Sequence, residues 1–185
     1  MIKGRGVVFT VLMMILFSGC TQTVQPEKTT QLPVSNEVTK MELTSPEFKN
    51  KGKMPARYTC DGEDINPPLT IDDVPIEAQS LVLIVDDPDA VNGVWDHWVV
   101  FNIPPETEEI PERADIGTAG ENSWGKEAYG GPCPPSGEHR YNFKLYALDL
   151  KLDLQEGSTK EEVEEAMEGH ILEETELVGK YQRKK

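Results

Sequence analysis

The stretch that most restricts how this chain can fold runs from Gly130 to Tyr141, Gly-Gly-Pro-Cys-Pro-Pro-Ser-Gly-Glu-His-Arg-Tyr. Its first eight residues hold three prolines and three glycines. Proline lacks the amide donor and glycine weakens regular elements, so this backbone forms neither helix nor sheet ladder and must be a shaped loop. Directly after it, Tyr141, Phe143, Leu145 and Ala147 are apolar or aromatic at every second position, the period of a strand with one buried face. His139 shares their parity. A loop that ends by delivering an imidazole to the mouth of a buried strand points to a binding site, although turn chemistry alone also accounts for its composition.

Four further strands follow from pattern. Leu81 to Val85 is a continuous apolar run suited to burial on both faces, and it leads into Asp86-Asp87-Pro88-Asp89. Three acids at the end of a buried strand repel one another, so at least one is expected to accept hydrogen bonds. Val94 to Asn102 alternates, which places Trp95, His97, Val99 and Phe101 on one face and Trp98 and Val100 on the other. Met41 to Thr44 and Leu69 to Ile71 are short strand candidates. Between these last two lies a turn-rich acidic passage, Cys60 to Pro68, whose spacing does not fit a calcium-binding helix-loop-helix. Near the C-terminus, Ser158 and Glu161 form a capping-box pattern. Val163, Ala166, Met167 and Ile171 then keep helical spacing, predicting one bent helix or two short ones over Thr159 to Glu174.

The N-terminus reads differently. Lys3 and Arg5 precede an apolar run from Val7 to Leu16, too short to span a bilayer, which ends in Leu-Phe-Ser-Gly-Cys20. This resembles the lipobox of exported prokaryotic lipoproteins. It implies a leader at residues 1–19, a lipidated Cys20 and, through residue 40, a Thr- and Gln-rich tether reaching about 25 Å as a flexible coil. The folded domain then occupies residues 41–185. On this reading it sits on the outer side of the cytoplasmic membrane, held by a lipid anchor. Cys60 and Cys133, the remaining cysteines, can close a disulfide in such a compartment if their geometry allows.

With 33 acidic against 18 basic side chains the chain carries a formal charge of -15, which argues against nucleic acid as a partner. It does not exclude small anions held by a few directed donors. There is no dinucleotide glycine fingerprint, phosphate-binding loop or nucleophile elbow, so no cofactor and no metal are implied.

The motifs Asp87-Pro88-Asp89-Ala90, Trp95-Asp96-His97-Trp98 and Gly131-Pro132-Cys133-Pro134-Pro135, the last ending in His139-Arg140-Tyr141, resemble those of the phosphatidylethanolamine-binding protein (PEBP) family. They are most similar to its bacterial and archaeal Raf kinase inhibitor-like branch. The resemblance implies a mainly β fold of antiparallel sheets with Greek-key connections and C-terminal helices. It also implies a non-catalytic binding protein whose anion pocket is lined by Asp87, Trp95, His97, Gly131, Pro132, His139 and Tyr141. Val91 and Cys133 stand where many members carry proline. A phosphate or carboxylate would find donors in imidazole N–H, tyrosine O–H and loop amides, and a phosphoethanolamine headgroup would suit both that pocket and Asp87. A regulated partner protein, kinase or protease, is a further implication. The alternatives are an exported protease inhibitor, or a phosphoester hydrolase in which Asp87, His97 and His139 bind metal or transfer protons.

Overall fold

In the computed structural model, residues 39–184 are described; the leader, Cys20 and nearly all of the tether expected from the sequence lie outside them. A small sheet consists of β1 (Glu42–Thr44), β3 (Leu69–Asp72) and β6 (Glu109–Ile110), in the order β1-β3-β6. A larger one contains β2 (Gly52–Lys53), β9 (Ile171–Tyr181), β8 (His139–Leu148), β4 (Ser80–Asp87), β5 (Trp95–Ile103) and β7 (Thr118–Ala119), in that spatial order. All pairings are antiparallel except β2 with β9, which is parallel. Strand β8 returns to lie beside β4 on the side away from β5 and β7, a Greek-key arrangement.

The larger sheet is covered on both sides. One face packs against the small sheet through Leu43, Leu69 and Ile110, met by Leu83, Val85, Trp98, Tyr141, Phe143 and Leu145. The other face carries Val82, Ile84, Val99 and Phe101, covered by Val163 and Met167 of helix α1 (Lys160–Met167). Strand β4 therefore lies in the middle layer with every residue buried, which is why its sequence is a continuous apolar run rather than an alternation.

The C-terminal region departs from its sequence pattern. The helix is capped by Thr159 with Glu162, one residue later than the Ser158 and Glu161 pairing, and it ends at Met167. Gly169 follows at φ +81, a conformation that favours glycine, and Ile171 to Tyr181 then forms a strand instead of a second helix. Ten register pairs with β8 outweigh the helical spacing of its first residues. There is thus one helix where C-terminal helices were expected.

Strand β5 also breaks its simple alternation. Val85 faces Trp98, but Asp86 faces Asp96, so His97 is an extra residue, a β-bulge. The bulge puts Trp98 and Val100 in the core shared with Tyr141, and Val99 and Phe101 on the helix side. The single face expected for Trp95, His97, Val99 and Phe101 is thereby split at the bulge. A second shift lies between Leu81 and Leu83, where Asn102 adopts φ +55 and its side chain bonds the backbone of Leu152.

Candidate functional site

Three strand ends meet at one edge of the larger sheet: β4 ends in Asp87, β5 begins with Trp95 directly opposite it, and β8 begins with His139. Asp87 Oδ2 lies 2.8 Å from His139 Nδ1, with both side chains nearly fully buried. The other carboxylate oxygen of Asp87 accepts the Asp89 amide at 2.8 Å, closing a turn ahead of the loop. Each acid at this strand end has its own partner. Asp86 accepts from Lys144 Nζ at 2.6 Å, and Asp89 takes Arg140 by two guanidinium nitrogens and the backbone amide. Arg140 holds the Asp89 carboxyl down at about 2.

The bulged His97 is fixed from the proline-rich loop. Its Nδ1 lies 2.6 Å from the Gly130 carbonyl, while the Gly130 amide donates to the His97 carbonyl at 2.9 Å. A carbonyl only accepts, so Nδ1 carries the hydrogen, and Nε2 bears the lone pair in the neutral ring. Burial pushes the His97 imidazolium pKa below its ordinary value, opposed by the Gly130 carbonyl and by Asp87, Asp96 and Asp86. The same reasoning puts a hydrogen on His139 Nδ1, toward the Asp87 carboxylate. Both imidazoles are thus held in one tautomer with Nε2 as the uncommitted nitrogen.

Aromatic rings frame the two histidines. His97 meets the Tyr141 ring edge-on at 5.1 Å and the Trp124 ring at 5.0 Å, and Trp124 meets Trp95 at 5.4 Å. The cavity they bound has a volume of about 340 Å³ and is lined by Asp87, Trp95, His97, Trp124 and His139, with Ala90, Val91, Asn92, Cys133, Pro134 and Pro135 at its remaining walls. Two buried donors here, Trp95 Nε1 and Tyr141 Oη, have no hydrogen-bond partner of good geometry, although the Tyr141 hydroxyl lies toward the Asp87 carboxylate. Burial, and then the Asp87 charge, push the Tyr141 phenol well above its usual pKa, so it keeps its proton.

Five of the seven residues singled out from sequence, Asp87, Trp95, His97, His139 and Tyr141, come together here; Tyr141 stands against His97 rather than on the cavity wall. Gly131 and Pro132 do not line the cavity. The Gly131 amide is spent on Asp64 Oδ1 at 2.7 Å, and a Cβ at Gly131 would stand 2.7 Å from the Tyr58 carbonyl, so glycine is needed for close packing. The Pro132 carbonyl accepts from the Cys60 amide. Together with the Gly130 bond to His97, this leaves no free amide at Gly130 or Gly131, which removes these two from the loop amides expected to hold the anion.

A disulfide joins Cys60 to Cys133, clamping the loop to the 56–64 segment. That segment is braced in turn by Arg57, which pairs with Glu63 and Glu112. Sequence reasoning passed over Trp124 and Asp64. Trp124 lies in a glycine-dotted stretch whose Gly130 leaves room for its ring, since a Cβ there would come within 2.6 Å of it. No local pattern ties either residue to the site, because both reach it across loops.

A mainly β architecture with one helix, and a cavity where the β4 end, the β5 bulge and a proline-rich loop meet, define a class of ligand-binding fold. The comparisons with known proteins name it. The sequence model of the phosphatidylethanolamine-binding protein family matches residues 44–182, and the chain belongs to that family. A UPF0098 protein of Methanothermobacter thermautotrophicus is 55% identical over 150 residues, covering 77% of this chain and 99% of that one. A second relative, from Pyrococcus abyssi, is 50% identical across 74% of this chain and 83% of its own length. Among solved structures, a PEBP homologue of Chlamydia trachomatis superposes with a TM-score of 0.77 at 46% identity, covering 78% of this chain and 99% of that one. Escherichia coli YbcL, described as a member of the mammalian PEBP family, gives 0.73 at 28% identity, covering 79% and 100%. Family membership supports a ligand-binding protein of non-catalytic type. Because the Methanothermobacter relative aligns over nearly its whole length, a chain made of this domain alone exists.

Proposed function

We propose that the cavity beside Asp87, Trp95, His97 and His139 holds a small phosphate- or carboxylate-bearing ligand, such as a phosphoethanolamine headgroup, and that the protein acts by binding it rather than converting it. The observation that carries this reading is the buried Trp95 Nε1, a donor without an acceptor on a residue that lines the cavity. A buried donor without an acceptor costs about 1–3 kcal/mol, and an oxygen-rich anion relieves that cost. The histidines add a condition. Neutral, their Nε2 atoms accept; protonated, they donate with charge assistance, so an anion enters together with a proton. For His97, whose charged form burial disfavours, the anion supplies the missing counter-charge. The sulfur on the cavity wall belongs to the disulfide, which leaves the cavity without a thiol nucleophile and favours binding over covalent chemistry. We also read the N-terminus as a lipoprotein leader and anchor that displays the domain outside the cytoplasmic membrane. A disulfide persists in such an oxidising compartment.

The test is a calorimetric titration of phosphoethanolamine into residues 39–185, with a chelator present, at pH values on either side of the ordinary histidine range. Saturable binding that strengthens at the lower pH and is lost in Trp95→Phe and His139→Gln is the expected result. Absence of heat with the unaltered domain at both pH values overturns the ligand class.

A further inference from the structure

The basic C-terminal residues have no part in the pocket, and the fold gathers them with cations from two other strands. Lys180 on β9 is in register with Lys53 on β2 on one side and with Arg140 on β8 on the other. Residues directly opposite in a ladder share a face and stand about 5 Å apart at the backbone, so three cations form one row across three strands. Like charges in such a row repel. Arg140 is neutralised by Asp89, but Lys53, Lys180 and Lys184 make no ion pair among the described residues.

The row opens into a cleft of about 710 Å³, twice the volume of the cavity at Asp87, between residues 53–56 and residues 180–184. Four of its lining side chains are cationic and two are acidic, in a chain whose formal charge is -15. One of the two acids is already committed: Asp61 accepts from Tyr181 Oη at 2.8 Å and from Arg183 at 2.8 Å. That pairing fixes Arg183 and offers the lysines little. The other acid is the exposed Glu138; beside it and Gln182 the wall is apolar, from Met54, Pro55, Ala56 and the Tyr181 ring, and lowers the local dielectric against which the lysines act.

We propose that this cleft is a second anion site, separate from the pocket, which takes a compact polyanion carrying at least two phosphate or carboxylate charges. A monoanion would leave one of the two unpaired lysines of the row uncompensated, whereas a diphosphate or a cluster of phosphate headgroups neutralises both. Lysine serves such a ligand as a mobile point charge, so the cleft selects charge density rather than a particular shape. The site does not depend on how the pocket functions.

The probe is inorganic pyrophosphate, titrated at low ionic strength into residues 39–185 in a His139→Gln background, which removes the pocket from the measurement. Lys53→Gln with Lys180→Gln is expected to weaken binding at least tenfold. Lys126→Gln with Lys151→Gln, the same change in charge on exposed residues elsewhere, is expected to stay within about twofold. Equal loss in the two double variants, or no binding in the background protein, overturns the site. Melting temperatures supply a check independent of affinity. Relieving the row leaves the ligand-free Lys53→Gln/Lys180→Gln protein as stable as its parent or more so, and abolishes the rise that pyrophosphate produces. A lower ligand-free melting temperature would mean that the protein itself already compensates the row, and would overturn the proposal. Co-sedimentation with phosphatidylglycerol vesicles, reversed by pyrophosphate, identifies a lipid surface as the source of the phosphates. Pyrophosphate binding without vesicle binding identifies a soluble polyanion.

Discussion

Asp86 and Asp87 are neighbours on one strand, equally buried, yet they face opposite sides of the sheet and have opposite fates. On the helix side, Asp86 accepts from Lys144 and Asn142 and lies 3.8 Å from Lys160, which also pairs with Asp96 at 3.0 Å. Despite burial, these carboxylates raise the pKa of both lysines. That network ties helix α1 to three strands and is complete. On the pocket side, Asp87 holds one imidazole and the Asp89 amide, and the Trp95 indole N–H on the facing strand is left without an acceptor. Complete satisfaction marks a structural network, and unfinished satisfaction around a cavity marks a place for a ligand.

Four experiments sharpen or break that contrast. The largest effect is expected from Cys60→Ala with Cys133→Ala, because the pocket side relies on a loop that the disulfide clamps. A cross-link between residues 73 apart in sequence is worth about 4 kcal/mol, read by denaturant unfolding, and ligand affinity should fall with it. Asp86→Ala should cost about 3 kcal/mol, since it strands the partly buried Lys144 and leaves Lys160 to Asp96 alone on the strands, while ligand affinity stays within about twofold. Loss of binding in a folded Asp86→Ala protein would show that the two sides are not independent. Tyr141→Phe should act in the opposite sense, stabilising the ligand-free protein by about 1 kcal/mol through removal of an unsatisfied hydroxyl, and weakening the ligand severalfold.

The smallest effect concerns His97. Its folded pKa lies below the unfolded value, so below about pH 6.5 the unfolded chain binds a proton that the folded one resists. Ligand-free stability should therefore fall as pH drops through that region, and His97→Gln should flatten this part of the profile. Saturation with sulfate, which does not titrate there, should flatten it as well by favouring the charged ring. An unchanged slope in His97→Gln would remove His97 from the pH response.

Much of this was legible in residue order. The alternation at Tyr141, Phe143 and Leu145 and the apolar run at Leu81 to Val85 report burial directly, and both strands stand where the pattern puts them. What stayed hidden depends on partners distant in sequence. A segment whose first residue keeps helical spacing, as Ile171 does, becomes a strand because β8 offers it a ladder. The Gly131 and Gly130 amides looked available in sequence, and they are consumed by Asp64 and by the His97 carbonyl, across gaps of 67 and 33 residues. The bulge at His97 was invisible because nothing in Trp-Asp-His-Trp announces that one residue is surplus to the register.

That surplus has a consequence of its own. With His97 left out, Trp95, Asp96, Trp98, Val99 and Val100 alternate between the two sides of the sheet without a fault, each opposite the same β4 neighbour as now. The imidazole is therefore an insertion into a sheet that is complete without it. A chain lacking that single residue would keep the register of its strands and its two cores, and would lose the ring together with the carbonyl that anchors the Gly130 amide. One in-frame deletion would thus remove the site at the expense of the loop rather than of the sheet.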